Sequence, residues 1–212
     1  MKRKWLTIIV MVAMFTVVGT VNANTISLLD PGSRYSNGGP FTASVNEIVA
    51  DGLVGSVFTT FCLEKTEYFY AWNTPYAYTI ASYAVGGAGG AIGGQDPLDP
   101  RSAYLYSSFR ANPSAYNTIA LQAAFWHIEQ EQSLPTRGTG TSDQELAWAY
   151  IDAATAAGWT DIGNVVVLNL YDTEHGNLQS QLGLTTVPEP TTLLLLGFGL
   201  IGLAGVRRKF KK

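Results

Sequence analysis

One run of β-branched and aliphatic residues reads Asn164-Val165-Val166-Val167-Leu168-Asn169-Leu170-Tyr171. A short apolar run of this composition predicts a buried β-strand. Three predicted helices precede it, over Pro100 to Phe109, Pro113 to Gln132 and Ser142 to Ala157. The third is predicted to open with the capping box Ser142-x-x-Glu145 and to end before Gly158.

Alternating and aromatic segments come before the helices. Residues Asn24 to Pro40 are rich in Gly, Ser, Asn and Pro and predict a loop or a short edge strand. Strands are predicted over Phe41 to Val45, Val57 to Phe61, Tyr68 to Trp72 and Tyr76 to Val85. Strands, then helices, then a returning strand predict a single α+β domain with an antiparallel sheet and about three helices.

Glycine makes up six of the nine residues from Gly86 to Gly94, which predicts a flexible loop. The segment lacks the Gly-Lys-Ser/Thr ending of a phosphate-binding loop and the strand-to-helix context of a dinucleotide fold. Nucleotide binding is therefore not expected, and we expect no cofactor.

Basic residues are concentrated at the two ends of the chain. Of 13 Lys and Arg residues, three precede residue 5 and five follow residue 206. The remaining five cations lie among all 16 acidic residues, so residues 5–206 carry 5 minus 16, or −11. A domain this acidic has no basic patch for nucleic acid, and we expect no nucleic-acid partner.

The N-terminus has the features of a secretory signal peptide. Lys2, Arg3 and Lys4 form a positive region, residues 5–18 are apolar, and Val21-Asn22-Ala23 places small residues where signal peptidase cleaves. We predict a signal peptide over 1–23, with cleavage after Ala23, and export across the inner membrane.

The C-terminus combines a short motif, an apolar run and a basic tail. Pro188-Glu189-Pro190 is followed by an uncharged run from Thr191 to Val206 and then by five cations. Residues 191–206 are at the short end of what a transmembrane helix requires, and the basic tail favours a cytoplasmic end. This arrangement resembles the PEP-CTERM sorting signal of bacterial surface proteins. The resemblance implies a sorting signal over 187–212, recognition of Pro188 to Pro190 by the membrane protease exosortase, transient membrane anchoring, and transfer to the cell surface or extracellular matrix.

The exported domain predicted over 24–186 contains a single cysteine, Cys62, in Thr60-Phe61-Cys62-Leu63-Glu64. A lone thiol outside the reducing cytoplasm has no internal disulfide partner. Cys62 is therefore an inert buried side chain, one half of an intermolecular bridge, or a reactive group.

Gln122 stands out in the second predicted helix, within Ala120 to Ile128. At about 100° per residue it lies between two apolar sectors, which predicts a buried amide. A buried amide must find a partner, either a hydrogen bond or a chemical reaction.

Together, Phe61-Cys62-Leu63 and Leu121-Gln122-Ala123-Ala124-Phe125-Trp126 resemble the motifs of thioester domains from bacterial surface proteins. The resemblance implies that Cys62 supplies the thiol and Gln122 the acyl group of an internal bond. Phe61, Phe125 and Trp126 would form its apolar pocket, with Glu129 close to the Gln122 face and His127 a candidate to carry the proton. An amine or hydroxyl on a partner would then open the bond and become covalently attached.

The sequence leaves other functions open. Cys62 and Gln122 also fit a purely structural role in the core. Non-covalent binding of exopolysaccharide is suggested by the aromatic residues Tyr68, Phe69, Tyr70, Trp72, Tyr76 and Tyr78. A cysteine hydrolase would require His127 or His175 as the base; because neither lies in a family-specific motif, we expect no enzyme activity. Asp96 and Asp99 are compatible with a weak calcium site but lack the twelve-residue loop pattern, and we expect no metal.

Overall fold

The computed structural model describes residues 24–29, 38–45, 52–68, 73–86 and 90–186. These residues form an antiparallel sheet and three α-helices, which confirms the predicted α+β class. The predicted signal peptide, the transmembrane segment at 191–206 and the motif Pro188 to Pro190 lie outside the described residues. None of the helices in the described ranges is long and apolar enough to cross a membrane.

The main sheet has the strand order β3-β2-β1-β4-β7, and β7 pairs with both β8 and β9. Every one of these pairings is antiparallel. A short two-stranded sheet, β5 with β6, accompanies it. The strands are β1 Thr25–Leu29, β2 Phe41–Val45, β3 Val57–Thr60, β4 Pro75–Ala81, β5 Tyr83–Val85, β6 Gln95–Pro97, β7 Val165–Asp172, β8 Gly176–Asn177 and β9 Gln181–Leu184.

The strands predicted at Phe41 to Val45, Val57 to Phe61 and Asn164 to Tyr171 are confirmed. The one predicted over Tyr76 to Val85 is instead two strands, β4 and β5, in different sheets, and the first strand also differs from its predicted position. The segment expected to be a loop or an edge strand contains β1, which lies inside the sheet between β2 and β4. Its Ile26 and Leu28 are fully buried, and this burial outweighs the turn-forming composition of the residues that follow. Residues 69–72 of the predicted strand Tyr68 to Trp72 lie outside the described ranges.

The helices are α1 Pro100–Ala111, α2 Thr118–Ile128 and α3 Ser142–Ala157. The predicted helix from Pro113 to Gln132 is shorter than expected, because a 3₁₀ turn at Pro113–Ala115 precedes α2 and the chain turns after Ile128. The α3 bounds match the prediction, and Gly158 ends the helix at φ 66°.

The capping box of α3 is displaced by one residue from its predicted position. Thr141 rather than Ser142 is the N-cap, and its partner is Gln144 rather than Glu145. The Glu145 carboxylate instead accepts hydrogen bonds from the backbone N–H groups of Gly138 and Gly140. Since both Gln144 and Glu145 have suitable side chains, the loop conformation decides which one caps the helix.

Two hydrophobic clusters form the core, and β7 contributes to both. The first cluster contains apolar residues of the three helices together with Val165, Val167 and Leu182. The second contains residues of β1, β2 and β4 together with Leu168 and Leu170. Because β7 is buried on both faces, its sequence is an unbroken apolar run rather than an alternating one.

Candidate functional site

Cys62 follows β3 and pairs with the edge formed by β9. It forms an antiparallel bridge with Gln181, and the neighbouring hydrogen bonds are Leu63 N–H to Ser180 O at 3.1 Å and Leu182 N–H to Phe61 O at 3.0 Å. Backbone hydrogen bonds of the residues before and after Cys62 therefore fix the direction of its side chain, which is fully buried in the second cluster.

Gln122 is positioned by α2, whose first turn is capped by Asn117. The Asn117 side chain accepts hydrogen bonds from Ile119 N–H at 2.9 Å and Ala120 N–H at 3.0 Å. An N-cap of this kind satisfies backbone donors that the helix leaves unpaired and so fixes where the helix begins. Gln122 is only 1% exposed, as the helical pattern predicted.

The Gln122 carboxamide is held against Cys62 by three contacts. Its Nε2 donates to Cys62 O at 2.8 Å, and its Oε1 accepts from Cys62 N–H at 3.2 Å. The Cys62 thiol also approaches Oε1 at 3.4 Å. The structure therefore brings together the two residues that the sequence predicted as a reactive pair, with the carboxamide held in one orientation beside the sulfur.

Two glycines close over this pair. A Cβ atom added to Gly38 would lie 2.5 Å from the Trp126 ring and 2.8 Å from Cys62 Sγ, and one added to Gly39 would lie 3.0 Å from Gln122 Oε1. Gly38 also has a positive φ of 87°, which favours glycine. A side chain at position 38 would thus overlap the sulfur and the Trp126 ring, and one at position 39 would crowd the Gln122 carboxamide.

The electrostatic surroundings keep the thiol protonated. Burial raises the pKa of Cys62 from 9.0 to about 12, despite a hydrogen bond from the Gly39 backbone that lowers it. The negative charge of Glu64 contributes to the increase. A buried thiol with this pKa is not the exposed, low-pKa thiolate of a cysteine hydrolase.

A groove of about 360 Å³ leads from the surface to Gln122. Its lining combines the polar side chains of Lys65, Gln132, Asp143 and Gln144 with the apolar surface of Ile119, Ala123 and Trp126. The Lys65 ammonium donates to Gln132 Oε1 at 2.6 Å and lies 5.5 Å from the centre of the Trp126 ring. Gln122 is thus only 1% exposed and is still one of the residues that line this groove.

The four predicted pocket residues occupy three different environments. Phe61 and Phe125 belong to the first cluster, with ring centres 5.2 Å apart, and they pack beneath the site. Trp126 lies in the second cluster beside Cys62 and lines the groove. Glu129 is buried, and both of its carboxylate oxygens face the backbone N–H of Asp99 at 3.4 Å. Glu129 therefore binds the start of α1 rather than Gln122.

Neither histidine is a partner of the Cys62 thiol. His127 Nδ1 accepts a hydrogen bond from Leu134 N–H at 3.2 Å, and its ring packs on Trp148 with centres 4.6 Å apart. His175 pairs with the Asp172 carboxylate at 3.0 Å on an exposed turn. The predicted role of His127 in carrying the thiol proton finds no support in these contacts, because the helix turns this side chain towards α3.

The proposed aromatic platform is not a single surface. Tyr76 and Tyr78 are buried in the second cluster, whereas Tyr68 is 69% exposed. Phe69, Tyr70 and Trp72 lie outside the described residues. On β4 the buried tyrosines follow the inward-facing positions of the strand, so their periodicity reflects packing.

The structure also locates Asp96 and Asp99. Asp99 caps α1 by accepting from Arg101 N–H at 2.8 Å and forms an ion pair with the Arg101 guanidinium at 2.7 Å. Asp96 lies on β6 and is 7% exposed. Within the described part of the chain, no group of three or more His, Cys, Asp and Glu side chains is arranged to hold a metal ion.

Residues that sequence patterns did not identify complete the site. Gly38 and Gly39 are separated from both motifs, and their composition suggested only a loop. Gln181 lies opposite Cys62. The buried Glu64 follows Cys62 by two positions. Glu64 directly follows the apolar residues Phe61 to Leu63 but is followed by Lys65, Thr66 and Glu67, so its sequence context gave no sign of burial.

Comparison with known proteins identifies a sorting motif near the C-terminus. Residues 186–209 match the model of the PEP-CTERM protein-sorting motif. No curated protein and no solved structure matches the chain. The motif supports an exported surface protein that is anchored in the membrane and processed by exosortase.

Proposed function

We propose that the exported domain attaches the protein covalently to a surface or matrix partner through an internal thioester between Cys62 and Gln122. The observation that carries this proposal is the clamp on the carboxamide, which pairs with the Cys62 backbone through both its oxygen and its nitrogen while Sγ lies 3.4 Å from that oxygen. Reacting groups held next to each other in one orientation gain rate because that orientation is fixed in advance.

Bond formation is an exchange at the carboxamide carbon of Gln122. Cys62 Sγ forms a bond to this carbon, the carbon–nitrogen bond breaks, and the nitrogen leaves as ammonia. Negative charge develops on Oε1 during the attack, and the Cys62 N–H already donates to that atom at 3.2 Å. A donor placed in this way stabilises the transition state.

Attachment reverses the role of the sulfur. An amine or hydroxyl of the partner enters through the groove and attacks the same carbon, after which the carbon–sulfur bond breaks and Cys62 becomes a thiol again. The partner remains joined to Gln122 by an amide or an ester. Gly38, Gly39 and Trp126 keep water from the bond until the partner arrives.

Two other functions have less support from the geometry. A cysteine hydrolase would need a low thiol pKa and a neighbouring base, whereas burial raises the pKa of Cys62 and both histidines bond elsewhere. Non-covalent binding of exopolysaccharide would need an exposed aromatic platform, and Tyr76 and Tyr78 cannot belong to one because they are buried.

Intact mass spectrometry of protein recovered from the surface of producing cells tests the thioester. We expect a mass lower by one ammonia in the wild type and the full mass in Cys62→Ala and Gln122→Ala. Incubation with methylamine should add one methylamine, which leaves the chain one methylene group heavier than its unmodified form, and should expose one thiol to alkylation. An unmodified mass in freshly folded wild-type protein would overturn the proposal.

A further inference from the structure

The folded domain ends directly beside the sorting motif. The match to the PEP-CTERM motif covers residues 186–209, and Thr186 is the last residue that the structure describes. Pro188 follows Thr186 by two positions, which span at most about 7 Å of extended chain. A protease that binds Pro188 to Pro190 must therefore act within a few residues of the folded domain.

Backbone pairing with residues 52–54 holds the end of the domain on one side. Three contacts form this pairing: an antiparallel bridge between Leu53 and Thr185, and hydrogen bonds from Val54 N–H to Leu184 O at 2.7 Å and from Thr186 N–H to Gly52 O. The chain is thus hydrogen-bonded within the fold up to the first residue of the matched motif.

Asn164, the residue before β7, holds Thr185 from the other side. Its backbone carbonyl accepts hydrogen bonds from Thr185 N–H at 2.9 Å and from Thr185 Oγ1 at 3.1 Å. Its side-chain Nδ2 donates to Thr185 O at 3.0 Å. Both backbone polar groups and the hydroxyl group of Thr185 are therefore bonded to one residue. We call the contacts of residues 184–186 with residues 52–54 and Asn164 the C-terminal clasp.

The C-terminal clasp lies at the periphery of the fold. Leu53, Asn164 and Thr185 are half-buried and Thr186 is exposed, so few apolar contacts reinforce the hydrogen bonds. Peripheral elements of this kind open locally at a lower free energy than the buried core. The clasp can therefore open while the rest of the domain stays folded.

Cleavage of a peptide bond requires that the chain around it be free to enter the protease. Backbone groups that are already hydrogen-bonded within a fold resist proteolysis until that part of the fold opens. When opening is fast compared with cleavage, the cleavage rate is proportional to the fraction of molecules in the open state. The two positions between Thr186 and Pro188 are too short a spacer to remove this requirement.

We propose that the C-terminal clasp controls processing of the sorting signal, because exosortase reaches its motif only in molecules whose residues 184–186 have separated from residues 52–54 and Asn164. The domain stays folded, and the anchored protein remains at the membrane between openings. The free energy of opening the clasp therefore sets how long the protein stays anchored. This inference does not depend on the thioester.

A reversible cross-link between positions 53 and 185 tests the clasp within one variant. Leu53 and Thr185 are directly opposite, and their flanking residues rather than the pair itself exchange the hydrogen bonds. The Cα atoms of such a pair lie about 4.5 Å apart, which a disulfide can span. The full-length chain carrying Leu53→Cys and Thr185→Cys is incubated with membranes that contain exosortase, with and without dithiothreitol. Intact mass spectrometry follows removal of the C-terminal tail.

We expect the oxidised variant to be processed more slowly than the reduced variant by roughly tenfold or more. The wild type is the control and should be processed at the same rate with and without the reductant. Equal rates in the oxidised and reduced forms of the variant would overturn control by the clasp.

A spacer distinguishes opening of the clasp from other effects of the cross-link. Insertion of Gly-Ser-Gly-Ser between Thr186 and Val187 moves the motif up to about 13 Å further from the clasp. We expect this insertion to raise processing of the oxidised variant at least to the rate of the reduced one. Slow processing that persists with the spacer would show that the cross-link acts elsewhere, and would overturn the proposal.

Single substitutions weaken the clasp without a cross-link. Thr185→Val removes the hydroxyl that donates to Asn164 O, and Asn164→Ala removes the amide that donates to Thr185 O. Each lost hydrogen bond should raise the processing rate by roughly fivefold. Thr155→Val is the matched control, since it removes a hydroxyl that donates to Ile151 O within α3 rather than in the clasp. Unchanged rates in both clasp variants, or an equal increase in the control, would contradict the proposal.

Discussion

Glu64 and Glu129 are two buried carboxyl groups in different surroundings. Burial raises the pKa of each to about 8. Glu129 closes the end of α2 and faces the backbone N–H of Asp99 with both oxygens. Glu64 follows Cys62 by two residues, and neither of its carboxyl oxygens is within hydrogen-bond distance of a donor in the described part of the chain. Burial therefore raises the pKa of a carboxyl group whether or not a donor faces it, and only Glu129 has a backbone donor that ties it to a neighbouring helix.

The largest loss of stability should come from crowding the region around Cys62, which precedes Glu64 by two residues. Gly38→Ala places a methyl group against Trp126 and Cys62 at a positive φ, and Gly158→Ala adds the same methyl at φ 66° with nothing within 4 Å. We expect Gly38→Ala to lower the free energy of unfolding by about 3 kcal/mol and Gly158→Ala by about 1 kcal/mol. Urea denaturation measures both.

Equal losses in the two alanine variants would show that the backbone conformation, rather than contact with Cys62 and Trp126, makes glycine necessary at position 38. The mass of refolded Gly38→Ala should also show that ammonia loss is impaired, because the methyl group displaces the sulfur.

A smaller effect is expected from titrating the two acids. Each has a folded-state pKa above its ordinary value of 4.5, so between about pH 5 and 8 the folded protein binds protons that the unfolded chain has released. The free energy of unfolding should therefore be highest near pH 5 and fall by roughly 2 kcal/mol per group between pH 6 and 8. Urea midpoints across this range measure the fall.

Glu64→Gln and Glu129→Gln should each remove about half of this slope, while Glu174→Gln, at an exposed carboxylate, should leave it unchanged. A free energy of unfolding that is constant from pH 5 to 8 would contradict the raised pKa of both Glu64 and Glu129.

The smallest expected loss of stability comes from breaking the contacts of Lys65 with the chain that follows α2. Lys65 N–H donates to Glu131 Oε2 at 3.1 Å and its ammonium donates to Gln132, which joins the Cys62 segment to the chain beyond α2. Lys65→Met should lower the free energy of unfolding by about 1 kcal/mol. A cycle with Gln132→Met should give a coupling energy of about 0.5 kcal/mol or more; additive effects would show that the contact contributes no stability.

Much of the fold could be predicted from local sequence. The period of α3, the apolar run of β7 and the alternation of β2 each follow from interactions between residues close in the chain. Gln122 was also correctly predicted to be buried, because a polar residue between two apolar helix sectors has little access to water. The internal position of β1 and the shifted cap of α3 were missed, since both depend on which distant or neighbouring segment competes for the same hydrogen bonds.

The sequence by itself determined the sorting motif and the net charge of this protein. Its C-terminal motif requires only consecutive residues, and the excess of acidic residues is a matter of counting. Only the tertiary structure decided the surroundings of Cys62, where Gln122, Gln181 and Gly38 meet it from three separate parts of the chain. Packing and strand pairing between distant residues create that arrangement, and neither leaves a periodic signal in the sequence.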